Sequence, residues 1–160
     1  MVTIPGGRLI VVCGVAGAGK TTLAKALEAE GAVRMCPDEW IVALGFDMED
    51  LEGRSAVLAL QWDLTRELVL KGMTVVDEGG VWYRAERDLR REWAREHGVA
   101  VELRFLDAPV DVLVARIEER NRMAPESAPR LDPMLVTSMA GWIERPDAEE
   151  LALFDGPPGS

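Results

Sequence analysis

Short apolar runs alternate along the chain with longer stretches in which apolar residues recur every three or four positions. "RLIVVC", from Arg8 to Cys13, is a β-branched run that predicts a buried strand. "KTTLAKALEAE" then places Leu23 and Leu27 on one helical face, with Gly31 as the stop. "AVRMC" predicts a short second strand, and "PDEWIVALG" a short helix or turn. From Asp50 to Lys71, the positions of Val57, Leu60, Leu64 and Leu68 have helical spacing, and Gly72 ends the element. "MTVVDE" predicts a third strand. A helix over residues 84–97 follows, with Ala85, Leu89 and Trp93 at four-residue intervals and Gly98 as the stop.

"VAVELRFL" alternates with period two, as a strand with one less buried face does. Val110, Leu113, Val114 and Ile117 then mark a helix from Pro109 to about Arg122. "NRMAPESAPRL" reads as a loop. "DPMLVTSMAGW" reads as a helix capped by Asp132, with Pro133 at its first position. "PDAEELALF" fits either a helix or a last short strand, and "DGPPGS" a frayed tail. The βαβα order implies a parallel sheet with helices on both faces. One domain over residues 1–154 is expected, with a lid at about 116–131 and a flexible tail at 155–160.

Composition narrows the class. Apolar residues make up 48% of the chain and charged residues 29%, as in an ordinary globular domain. No apolar run approaches the roughly 18 residues that span a bilayer, so no membrane partner is expected. "MVTIPGGR" lacks the charged and apolar regions of a secretory leader. Cys13 and Cys36 fit no disulfide or zinc spacing and are expected as buried, reduced thiols in a cytoplasmic protein. The net charge of −10 argues mildly against a nucleic-acid partner, because phosphate backbones demand basic faces. A small-molecule partner is expected, on a monomer or homodimer.

The chemistry starts at Gly14-Val15-Ala16-Gly17-Ala18-Gly19-Lys20-Thr21, which matches G-x-x-x-x-G-K-[ST] between a strand and a helix. Glycines let several backbone N–H groups converge, and the helix that follows adds its positive end. Lys20 can reach the β- and γ-phosphates of a nucleotide, Thr21 can offer its hydroxyl to Mg²⁺, and Thr22 completes the binding run. ATP and Mg²⁺ are therefore the expected cofactors. An N-K-x-D-type motif, as in GTPases, and an L-S-G-G-Q-like transporter signature are both absent. A ring ATPase is expected to need a longer chain with a helical lid domain.

Three further stretches bear on where the phosphate goes. Asp38 in "MCPDEW" follows the second strand, at the sheet edge where ligands bind. It suits either a general base for an attacking hydroxyl or a helix N-cap, with Glu39 a weaker candidate. Asp77 ends the third strand in "TVVDEGG", a position suited to Mg²⁺, while Glu78 can position water or substrate. Trp82, Tyr83 and Trp40 are candidate pocket walls. Arg116 and Arg120 share a helix face at the margin of the apolar stripe, with Arg122 beyond. From there they can lean over a migrating phosphoryl group. The charged "RAERDLRREWARE" reads instead as an exposed helix face, and His97, the single histidine, as structural.

"GVAGAGKTT", "CPDEW", "VVDEGGVW", "RIEERN" and "WIERPDAEE" together resemble the small P-loop kinase-like proteins, the group that includes chloramphenicol phosphotransferase, zeta toxin and polynucleotide kinase domains. The resemblance implies a three-layer α/β P-loop NTPase fold with a five-stranded parallel sheet, order 2-3-1-4-5, and a short lid. "LALF" is the only candidate for the fifth strand. It implies transfer of the γ-phosphate of ATP–Mg²⁺ to a hydroxyl, with the base at Asp38, lid arginines at Arg116, Arg120 and Arg122, and metal contacts at Thr21 and Asp77. The acceptor does not carry over from that group. A small-molecule acceptor leads, ahead of a polynucleotide 5′-hydroxyl or a toxin-like regulator without a metabolic acceptor.

Overall fold

A computed structural model describes residues 6–128 and 130–159. The expected domain start at residue 1, Pro129 of the lid and Ser160 of the tail lie outside the described residues. The elements are β1 (Arg8–Cys13), α1 (Lys20–Ala29), β2 (Val33–Met35), α2 (Pro37–Ala43), α3 (Leu51–Leu70), β3 (Thr74–Gly80) and α4 (Arg84–Glu96). Then come β4 (Ala100–Phe105), α5 (Val110–Met123), α6 (Pro133–Trp142) and α7 (Ala148–Leu151).

The strands pair in parallel in the order β2-β3-β1-β4. β1 lies between two neighbours and is buried on both faces, which its unbroken apolar run requires. Leu9, Val11 and Cys13 point to one core, shared with Val75, Val101, Ala94, Leu113 and Ile117. Ile10 and Val12 point to the other, shared with Val76 and Ala24 of α1. Each fully buried Val, Leu or Ile contributes about 1.5–3 kcal/mol.

The sheet has four strands among the described residues, where five were expected. "LALF" does not extend, because the Asp147 side chain accepts from Glu150 N–H at 2.7 Å and caps a helical turn there. The edge that a fifth strand would cover is closed by one residue. Asp155 donates its N–H to Val101 O and accepts Val101 N–H on its carboxylate, both at 2.8 Å. Arg95 also donates to this carboxylate, at 2.9 Å, and holds its pKa below the ordinary aspartate value. Residue 155, the first of the expected tail, is thus tied to the sheet.

Two helices turn differently from the spacing of their apolar residues. α3 buries Gly53, Val57, Gln61, Thr65 and Val69, while Leu60 stays exposed. A Cβ at Gly53 would lie 2.7 Å from Oδ2 of Asp50, the side chain that caps this helix by accepting the Gly53 N–H. α4 is corrected more sharply. Ala85 and Leu89 face solvent, and Arg87 of the supposedly exposed charged face is completely buried. Its partner, Glu150, sits 63 residues downstream at 2.6 Å, so no local pattern announces the pair.

Candidate nucleotide and phosphate site

The loop after β1 opens at the carboxyl edge of the sheet. Gly17 and Gly19 take positive φ, 84° and 101°, where other residues are strained. A Cβ at Gly14 would lie 2.8 Å from Leu106 O. α1 starts at Lys20 with no side-chain cap, so its first-turn N–H groups remain for a ligand. This arrangement fits a nucleotide's phosphates: a concave backbone cradle, an uncapped helix start and one lysine.

Lys20 Nζ donates to Gly14 O at 2.7 Å. Burial lowers its pKa, opposed by the carboxylates of Asp38 and Glu78. The same Gly14 carbonyl accepts the Trp82 indole N–H at 3.1 Å. Trp82 therefore lies against the phosphate loop. The turn that carries it is braced from below: Arg87 donates to Val81 O at 3.1 Å and to Trp82 O at 3.0 Å, and is itself paired with Glu150. Val81 has φ 25°, a strained value for a β-branched residue, which this bracing sustains. Cys13 lies under the turn, and burial pushes its thiol up to about 11. Both cysteines are buried and free.

Of the two acidic residues ending β3, Glu78 reaches the loop. Its Oε1 accepts the Thr21 hydroxyl at 2.5 Å, and its Oε2 accepts Arg34 Nε at 2.7 Å. Arg34, on β2, also forks onto both oxygens of Glu39 at 2.9 Å, and only 6% of its side chain is exposed. Asp77 points elsewhere: it accepts from Arg90 at 2.5 Å and from the N–H of Gly79 at 2.9 Å. The hydroxyl and carboxylate of Thr21 and Glu78 are hard oxygen donors of the kind Mg²⁺ takes. Asp77 has both oxygens engaged by protein donors.

Asp38 sits in the first turn of α2. Its Oδ1 accepts Arg54 Nη1, from α3, at 2.8 Å. No side-chain cap bond forms at the start of α2, so Asp38 is not its cap. Across the cleft, Arg116 Nη1 donates to Gly17 O at 3.0 Å, and Arg120 lies one turn on. Arg122 pairs with Glu119 on the outer surface.

A cleft of about 1150 Å³ joins these groups. The phosphate loop, Thr22, Asp38, Arg54, Glu78, Trp82, Arg116 and Arg120 all line it; Asp77, Trp40 and Arg122 do not. Trp40 packs, half-buried, against the main core. His97 Nδ1 donates to Trp93 O, 2.8 Å away, and its ring stacks on that indole. Arg34, Arg54 and Arg87 were not singled out from the sequence. The one available signal was Arg34, a charge inside the short apolar run "VRMC", which requires a partner once buried.

Residues 9–145 match the family described as "AAA domain", and the chain belongs to it. Its loop from Gly14 to Thr21 is a P-loop. A nucleotide-binding protein of Pelobacter propionicus is 33% identical over 118 residues, 74% of this chain and 37% of that protein. The chain thus spans about a third of the length of the curated relatives it matches. Among solved structures, a gluconokinase from Sinorhizobium meliloti shares 24% identity at TM-score 0.57, over 92% of this chain and 80% of that one. A chain of the Pnkp1/Rnl/Hen1 RNA repair complex shares 15% identity at TM-score 0.71, over 94% of this chain and 47% of that one. At these identities the two structures establish the fold. No described helix is long and apolar enough to cross a membrane.

Proposed function

We propose that this chain moves the γ-phosphate of ATP to a hydroxyl of a small molecule. The observation that carries this is the placement of Asp38 on the same cleft as the phosphate loop, Arg116 and Arg120. The loop amides and Lys20 grip the phosphates. Lys20 leaves Gly14 O to do so, and Trp82 stays behind to hold that carbonyl. Arg116 and Arg120 offset charge as it develops on the migrating group. Asp38 accepts the proton of the attacking hydroxyl once Arg54 has moved aside.

Thr21 and Glu78 would hold Mg²⁺, with Glu78 rather than Asp77 as the acidic contact. Bound there, the ion would neutralise the β- and γ-phosphate oxygens. Arg34 keeps the Glu78 carboxylate turned toward Thr21.

The test is transfer of label from γ-labelled ATP across a panel of hydroxyl compounds that includes a 5′-hydroxyl oligonucleotide. Labelling of a small alcohol is expected. Labelling of the oligonucleotide alone would move the reading to a polynucleotide kinase, and tight ATP binding with no labelled product would move it to a nucleotide-dependent regulator.

A further inference from the structure

The arginines of the cleft differ in what they have left to give. Arg34 has three of its five N–H donors, on Nε and both terminal nitrogens, on carboxylate oxygens, and its side chain is nearly buried. Among the described residues the Arg54 side chain makes one hydrogen bond, to Asp38, and uses one of its five N–H donors. Its side chain is 35% exposed and it lines the cleft.

The surroundings of Arg54 describe a binding surface. Leu58 lies one turn further along α3, lines the same cleft, and approaches within 3.7 Å of where a Cβ on Gly79 would sit. Tyr83, half exposed, stands on the same lining. Glu86 is already occupied, accepting the Tyr83 N–H at 3.0 Å. Six basic and four acidic side chains line the cleft, in a chain whose net charge is −10. Positive charge is therefore concentrated here, and Arg54 is its available portion on the Asp38 side.

The pair has a second consequence. Arg54 holds one of the two carboxylate oxygens of Asp38, Oδ1. As long as Arg54 rests there, that oxygen is not open to a hydroxyl. A neutral alcohol gives Arg54 no reason to leave. An oxyanion does, because guanidinium and carboxylate or phosphate pair in a bidentate fork.

We propose that the acceptor carries an oxyanion, carboxylate or phosphate, close to its reacting hydroxyl, and that Arg54 binds this group and thereby frees Oδ1 of Asp38. The body of the acceptor rests on Leu58 and Tyr83. This rests on the phosphotransferase reading above for the role of Asp38, but the binding step stands apart from transfer.

The test uses the full chain loaded with Mg²⁺ and a non-hydrolysable ATP analogue, so that the phosphate loop is filled. Glycerol, glycerate and glycerol phosphate are titrated in, followed by a six-carbon polyol with its carboxylate and its phosphate ester. The readout is the Arg54 Nε–H resonance, assigned by its loss in Arg54→Met. Saturable shifts are expected with the anionic members, at affinities about tenfold or more above the neutral ones. In Arg54→Met, nucleotide-induced shifts elsewhere persist and the preference for anions disappears. Carboxylate and phosphate members binding unequally names the oxyanion. Equal responses to neutral and anionic members, no shift with any of them, or a preference that survives in Arg54→Met each overturn the inference. If anions bind at Arg54 yet wild type labels nothing from ATP, the transferase reading fails and the anion site stands.

Discussion

The two sides of the cleft are built to different standards. On the phosphate side, the contacts interlock. Gly14 O takes both Lys20 and Trp82, the Trp82 turn rests on Arg87, and Arg87 is locked to Glu150 with neither side chain more than 2% exposed. On the acceptor side, Asp38 and Arg54 hold each other by one contact, at 58% and 35% exposure, and Arg120 stands in solvent. Exposed pairs of that kind contribute about 0–1 kcal/mol. The phosphate side is pre-organised for one ligand. The Asp38–Arg54 side is held loosely enough for the proposed acceptor to replace its contacts.

The largest effect expected is from Lys20→Ala. Losing the one lysine of the loop should lower nucleotide-dependent turnover by about a thousandfold or more, read as release of ADP. Turnover within tenfold of wild type would mean that the phosphate side is not where the γ-phosphate is gripped.

Arg87→Met comes next. It strands Glu150 and withdraws donors from Val81 O and Trp82 O, and breaking a buried pair in this way costs about 3–5 kcal/mol. Denaturant unfolding should show that loss, and a loss under about 1 kcal/mol would show that the turn is held by packing alone. Trp82→Phe keeps the ring but removes one hydrogen bond to Gly14 O. It should weaken nucleotide binding about fivefold by calorimetry, near 1 kcal/mol, with little change in unfolding. Unchanged affinity would remove Trp82 from the loop's support.

The smallest effect should come from Arg122→Ala. Its guanidinium pairs with Glu119 away from the cleft, so turnover should stay within about twofold. A tenfold fall would place Arg122 over the acceptor after all.

What could be read from the sequence divides along similar lines. The loop was legible because its eight residues are contiguous, and their chemistry needs no distant partner. The positions of the first four strands followed from apolar runs and alternation, while their order 2-3-1-4 was implied only by the family resemblance. The pairs Arg87–Glu150, Arg34–Glu78 and Arg54–Asp38 were not legible, since they join residues 63, 44 and 16 positions apart. Arg87 looked like surface because it lies between Glu86 and Asp88 in a helix dominated by charged residues. The missing fifth strand has a similar cause. "LALF" is apolar enough for a strand, but the cap at Asp147 coils the chain, and Asp155 closes the β4 edge in its place. Asp77 and Glu78 could not be told apart by position alone. Arg90, on α4, is what occupies Asp77 and leaves Glu78 to the loop.

The central claim is that Asp38 takes the proton of an acceptor hydroxyl while ATP is held independently of it. Asp38→Asn tests it most directly, measured as ATP affinity by calorimetry beside label transfer from γ-labelled ATP to the best acceptor of the panel. The account predicts affinity within about twofold of wild type and transfer reduced by about a hundredfold or more. Transfer at the wild-type rate in Asp38→Asn would contradict it.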